Sequence, residues 1–221
     1  MSFHILTVCT GNICRSPMAE AMLRTRLAGF PGLTVASAGT AAVVGAGMTP
    51  EAQAVLAGGG WSGGPAHVAR QLTPGLVASA DLVLALTREH RRAVVQLDPA
   101  AVGRTFTLRE FGYVVTCLTE EMLSETARRL AVAAEPEAAA AETGAFASAV
   151  GLEETALRTA TAAVATWKGA VPGADPEQFD VRDPYGQPLA AYAEAAVRML
   201  PAVDSIWDYV TAFAAAARGR A

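Results

Sequence analysis

The chain has 221 residues (22.7 kDa), 52% hydrophobic and 17% charged, with a mean hydropathy of +0.30, which is ample apolar material for a core and excludes disorder as a whole. Seventeen Lys plus Arg against 21 Asp plus Glu give a net charge of −4, and no dense basic run occurs, so a nucleic-acid or membrane-surface role has no electrostatic footprint. The first residues, MSFHILTVCTGN, carry no basic segment, apolar stretch or small-residue cleavage site, and no apolar run reaches 18 residues, so the expected location is cytoplasmic. Three cysteines, Cys9, Cys14 and Cys117, are too few and too odd for a disulfide framework.

Residues 4–8 (HILTV) are short, apolar and β-branched and run into the turn-forming Thr10-Gly11-Asn12, which predicts a buried strand ending in a loop. A helix should follow, with Ser16 as N-cap, Pro17 at its first position, Glu20 favouring the positive end of the dipole, and Met18, Met22 and Leu23 on an apolar face. Residues 33–36 read as a second strand. Thr49-Pro50-Glu51 opens a helix to about Leu56 that Gly58-Gly59-Gly60 stops, and Thr73-Pro74 opens a short one. Residues 81–86 (DLVLAL) are a strongly apolar strand, Thr87 caps a helix over 88–97, and residues 105–108 are the next strand candidate. Strands alternating with helices predict an α/β fold: a doubly wound parallel sheet flanked by helices, with ligands beyond the carboxyl ends of the strands.

Residues 113–178 break that rhythm. Ala and Glu dominate, helical periodicity covers 120–134 and 152–167, and no strand signal occurs, so an α-helical insertion is expected before the late Asp-Pro loop, within one domain spanning 1–221. The stretch 135–141 (EPEAAAA) with Gly144 reads as a link, and Val171-Pro172-Gly173 with Asp175-Pro176 as the return to the body. Residues 189–217 form a long helical pattern, bent or broken at Pro201.

The informative string runs from Cys9 to Pro17, CTGNICRSP, with a Cys and an Arg five residues apart between a strand and a helix start. Loop N–H groups of Thr10, Gly11, Asn12, Ile13 and Cys14 can converge on one anion, the helix amino end adds partial positive charge, and Arg15 can grip two oxygens of a tetrahedral oxyanion. The same field favours the thiolate of Cys9, a nucleophile. Gly11 and Asn12 tolerate positive φ, and the Ser16 hydroxyl can donate to the thiolate while capping the helix. A bland alternative exists for each: a lone Cys is ordinarily a small buried hydrophobe, and Asp183-Pro184-Tyr185-Gly186 is also an ordinary turn. Zinc at Cys9 and Cys14 lacks a second ligand pair, since His4, His67 and His90 show no ligand spacing and read as structural or exposed.

The segment from Val8 to Ala21 (VCTGNICRSPMAEA) resembles the low molecular weight protein tyrosine phosphatases closely. Ser37-Ala38-Gly39-Thr40 is similar to that family's S-A-G-T segment, whose serine supports the loop asparagine, and Asp183-Pro184-Tyr185 to its late D-P-Y motif. The match covers about residues 3–112 and 179–215, leaving the insertion outside. The resemblance implies a cysteine-dependent phosphate monoester hydrolase that works through a phosphocysteine and needs no metal or cofactor. Cys9 is then the nucleophile, Arg15 the clamp on the equatorial oxygens, and Asp183 the general acid, with Asp180 as its competitor. It also suggests a reversible disulfide between Cys14 and Cys9, against which stands plain core filling by Cys14.

Departures from the family pattern bear on substrate. Where many members place an aromatic residue at the pocket rim, this chain has Ala41, Ala42, Val43 and Val44, and a doubled tyrosine after D-P is here Tyr185-Gly186. Val43 and Tyr185 are the candidate rim residues. Expected partners are a phosphotyrosine-containing protein or a small aryl phosphate, with no nucleic acid and no membrane. The insertion's apolar residues Met122, Leu123, Leu130, Leu157, Val164 and Trp167 would pack on the body or on a second subunit as a homodimer. The rivals are an arsenate reductase, which needs further thiols that residues 80–92 do not supply, and a non-catalytic phosphotyrosine-binding module, which needs neither Cys9 nor Asp183.

Overall fold

The computed structural model describes residues 2–62, 66–118, 122, 149–168 and 175–218. Strands β1 (Phe3–Cys9), β2 (Leu33–Gly39), β3 (Leu82–Ala85) and β4 (Thr105–Thr107) form a parallel sheet in the order β2-β1-β3-β4. Helices are α1 (Arg15–Arg26), α2 (Pro50–Gly58), α3 (Pro74–Ala78), α4 (Arg88–Leu97), α5 (Leu108–Cys117), α6 (Ala149–Trp167) and α7 (Leu189–Arg218), with short 3₁₀ turns at Pro99–Arg104 and Pro176–Phe179.

Side chains alternate across β1 with the period of two that a strand imposes. Phe3, Ile5 and Cys9 enter the larger core shared with α1, α2, α5, α6 and α7, whereas Leu6 and Val8 enter a smaller one against α3 and α4. Helices therefore cover both faces, as the alternation of apolar strands and helices predicts. Because β2 and β3 flank β1, the chain leaves β1 to one side and returns to the other, and the topological switch lies at the carboxyl ends of β1 and β3. Cys9 is the last residue of β1 and Leu86-Thr87 follow β3, so the loops that diverge there belong to α1 and α4.

Several expected boundaries shift. The N-cap of α1 is Cys14, with no side-chain capping bond, and Ser16 is already helical, because its buried hydroxyl is engaged elsewhere. Leu108 begins α5 rather than ending β4: Thr107 and Glu110 form a capping box that starts the helix there. Residues 113–117, placed in the insertion by composition, complete α5, and Cys117 is the exposed last residue of that helix. Apart from Met122, the helix expected over 120–134 lies outside the described residues, as do Leu123, Leu130, the 135–141 link with Gly144, and the turn at 171–173.

The helix expected over 152–167 is α6, and its described apolar side chains pack on the body: Leu157, Ala160 and Val164 are buried in the larger core, with Met122 and Trp167 against it. Arg158 pairs with Asp81 ahead of β3, and Lys168 donates to the Thr105 carbonyl of β4 (2.8 Å) while lying 4.4 Å from the centre of the Phe106 ring. Burial lowers the Lys168 ammonium to a pKa of about 8. Helix α7 runs unbroken through Pro201. The proline lies on the exposed side with Val197 one turn earlier, so the carbonyl it leaves without a partner faces water. No described helix is long and apolar enough to cross a membrane.

Candidate active site

The loop from Cys9 to Arg15 is shaped by what takes up its carbonyls. Those of Cys9, Thr10, Gly11 and Ile13 accept from the N–H groups of Thr40, Ala41, Val43 and Thr49 (2.9–3.0 Å), that of Asn12 from His67 Nε2 (2.7 Å), and that of Cys14 from Met18 N–H (3.1 Å). Each partner lies outside the loop. A trans peptide directs its N–H opposite its C=O, so six carbonyls turned outward turn the amides of residues 10–15 inward, toward one another. With the N-terminus of α1 at its end, this is a ring of donors built for an oxyanion.

Asn12 makes the ring closable. It has φ +54, a left-handed conformation that Asn tolerates better than most residues, and its side chain is fully used. Its Nδ2 donates to Ser16 Oγ (2.9 Å) and Ser37 Oγ (2.8 Å), and its Oδ1 accepts from Arg70 N–H (2.9 Å). Ser37 in turn donates to Glu20 Oε2 (2.5 Å), so Glu20 serves this network; with α1 starting at Arg15 it lies beyond the first turn, not at the positive end of the dipole where the sequence placed it. Gly39 lets β2 come this close: a Cβ there would stand 2.4 Å from the Thr10 carbonyl oxygen and 3.0 Å from Asn12 N.

Cys9 Sγ is buried and 3.0 Å from Ser16 Oγ. Arg15 is 4% exposed; its Nη1 donates to the Val181 carbonyl (3.1 Å), its Nη2 to Asp183 Oδ2 (2.6 Å), and its buried Nε has no partner among the described residues. The Arg15 contact joins the late Asp-Pro loop to the Cys9 loop across 168 residues of sequence. Asp183 is half exposed, and Tyr185 N–H closes back on its Oδ1 (3.2 Å). Asp180, the competing acid, has both oxygens on Arg88: Oδ1 accepts from its N–H (2.7 Å) and Oδ2 from its Nε (3.1 Å). At the rim, Val43 and Tyr185 are 51% and 63% exposed, and Ile13 is half-buried beside Gly11.

Cys14 is buried under the loop, its Sγ 3.6 Å from Thr49 Oγ1 and 4.0 Å from Tyr192 OH, and burial raises its thiol pKa. Both Cys9 and Cys14 are free thiols. Two of the histidines that read as structural or exposed hold the loop from outside. His67 carries its proton on Nε2, because the Asn12 carbonyl can only accept. His90 bridges Thr10 Oγ1 (2.8 Å) and Thr87 Oγ1 (2.8 Å); burial and the nearby Arg15 charge lower its pKa to about 4, so it is neutral there. The available signal for His90 was its position in the first turn of the helix that follows a neighbouring apolar strand. His67 needed knowledge that 67–72 runs beside β2, through the Gly39 and Gln71 bridge.

A family profile described as low molecular weight phosphotyrosine protein phosphatase matches residues 4–121, which include the Cys9 loop and stop short of Asp183. The chain is 44% identical over 106 residues, 48% of its length and 70% of the relative's, to the probable low molecular weight protein-tyrosine-phosphatase EpsP of Ralstonia nicotianae. It is 41% identical over 111 residues, 50% of its length and 72% of the relative's, to a protein-arginine-phosphatase of Geobacillus stearothermophilus. The solved low molecular weight protein tyrosine phosphatase of T. tengcongensis superposes with a TM-score of 0.60 at 26% identity, covering 93% of this chain and 97% of that one. The chain belongs to the low molecular weight phosphotyrosine protein phosphatase family and is a cysteine-dependent phosphatase.

Proposed function

We propose that the protein hydrolyses aryl phosphate monoesters, with phosphotyrosine on proteins as the substrate class, in a reducing cytoplasmic compartment where Cys9 stays a free thiol. The phosphoryl group sits in the amide ring, with Arg15 and the inward N–H groups on its equatorial oxygens. Cys9 Sγ attacks phosphorus in line, the P–O bond to the aryl oxygen breaks, and Asp183 gives its proton to that oxygen. Asp183, now a carboxylate, takes a proton from water, whose oxygen attacks the phosphocysteine and releases phosphate and the thiolate. Ser16 Oγ, 3.0 Å from the sulfur, stabilises the departing thiolate by donating to it.

The observation that carries this reading is the outward capture of all six carbonyls from Cys9 to Cys14, which leaves a ring of N–H donors above the sulfur. The aryl preference rests on the rim. Gly11, Ile13, Val43 and Tyr185 offer an apolar, flat-sided mouth, and the Asp183 carboxyl beside it serves the leaving oxygen. Paired peptides bearing phosphotyrosine or phosphoarginine at the same position test the point. The expected result is a kcat/KM at least about tenfold higher for phosphotyrosine; a preference for phosphoarginine would reverse the substrate assignment while leaving the cysteine mechanism in place.

A further inference from the structure

The carboxyl group of Asp183 is gripped by Arg15, the same guanidinium that must hold the phosphoryl oxygens. To act as the general acid Asp183 must carry a proton, which removes its ion pair with Arg15, and a bound phosphoryl dianion competes with it for Nη2. At that stage another contact has to keep the acid over the leaving oxygen. The backbone of its loop is held two and three residues upstream. Val181 N–H donates to the Leu86 carbonyl (2.9 Å), and Asp180 is clamped on Arg88 through its backbone N–H, Nε and Nη2 (2.7, 3.1 and 3.1 Å). On the other side Pro184 is buried directly after Asp183 and restricts its backbone.

We propose that Asp180, held by Arg88 at the start of α4, is a positioning residue for the general acid. The inference rests on reading Asp183 as that acid. Three residues of chain reach at most about 11 Å, so an anchored Asp180 confines Asp183 to a small arc above the Cys9 loop. The same first turn of α4 holds the nucleophile side, since His90 bonds Thr10 while Arg88 bonds Asp180. Arg88 and His90 therefore set the two loops relative to each other from one rigid element. With both of its oxygens occupied by Arg88, Asp180 is unsuited to donate a proton itself.

The test is kcat/KM on aryl phosphates whose leaving groups range from 2,4-dinitrophenol, which departs without protonation, to unsubstituted phenol, which needs it. Asp183→Asn, Asp180→Ala, Asp180→Asn and Arg88→Ala are compared, with the inhibition constant of inorganic phosphate as a measure of the intact anion ring. Displacing the acid by a fraction of its working distance should lower kcat/KM for phenyl phosphate about tenfold in Asp180→Ala and Arg88→Ala, with little change for the dinitrophenyl ester or for phosphate inhibition. Asp180→Asn keeps an acceptor for the Arg88 N–H and guards against a variant that fails to fold; a smaller loss of the same pattern is expected. An equal loss across all leaving groups, or none, while Asp183→Asn remains strongly leaving-group dependent, would overturn the role of Asp180 and leave Asp183 as the acid. A flat profile for Asp183→Asn would remove both.

Discussion

Asn12 concentrates the demands of the site in one side chain: it must accept positive φ and satisfy Ser16, Ser37 and Arg70 together. Glycine meets only the first demand and alanine neither, which separates backbone strain from hydrogen bonding. Asn12→Gly should lose on the order of 2 kcal/mol from its broken buried hydrogen bonds, and Asn12→Ala about 1 kcal/mol more from left-handed strain. Urea unfolding of both variants measures the difference, and equal losses would mean that the conformation contributes nothing. The sequence showed why Asn suits a tight turn, and through the family resemblance that Ser37 supports it. It did not show Glu20 or Arg70, because those contacts depend on the 67–72 segment lying against β2, a pairing that no local pattern encodes.

Helix α4 turns its first residues to both catalytic loops, and its His90 makes this junction sensitive to acid. The folded His90 titrates near 4 and the unfolded one near 6.5, so between these values the unfolded chain binds the additional proton. Stability contributed by the neutral ring is complete above about pH 6.5 and is lost as pH falls toward 4, on the order of 3 kcal/mol in all. Unfolding free energies of the wild type and His90→Gln across that window should show the slope in the first and a flatter profile in the second. At the α5 and α7 crossing a Cβ on Gly112 would meet Ala202 Cα at 2.6 Å and its Cβ at 2.7 Å. Gly112→Ala, which would stabilise an exposed helix by up to about 1 kcal/mol, should here destabilise by about 2 kcal/mol in chemical denaturation. Most helix starts were legible because Thr49, Thr73 and Thr87 cap where the pattern begins, whereas the cap at Thr107 was hidden inside a strand-like run. Ser16 misled for a physical reason: it has the chemistry of a cap, but its hydroxyl is drawn into the site, and the loop runs directly into the helix.

Across the whole molecule, the parallel sheet places the Cys9 loop at the switch point, and α7, arriving last, packs on α1, α2, α5 and α6. The late Asp-Pro loop precedes α7, so closure of the large core also brings Asp183 to Arg15. Helix α6 belongs to that core. Leu157, 5% exposed, should cost about 2–4 kcal/mol when cut to Ala, as a body residue would; a loss below about 0.5 kcal/mol in thermal or chemical unfolding would show α6 to be an independent appendage. Its attachment was not readable beforehand, because an apolar helical stripe is the same whether it covers its own body or another copy. The anion loop was readable because its residues are contiguous, whereas the clamp on the acid joins residues 88 and 180, which only the fold brings together. In the proposed mechanism one buried thiol and one distant carboxylate perform the hydrolysis. Its most direct test is steady-state turnover of p-nitrophenyl phosphate by reduced, EDTA-treated protein beside Cys9→Ser and Asp183→Asn. Turnover should be metal-independent, abolished by Cys9→Ser and lowered about 10²-fold or more by Asp183→Asn, with phosphate binding retained in the latter. Turnover that survives Cys9→Ser, or its absence from the folded, reduced wild-type protein, would contradict it.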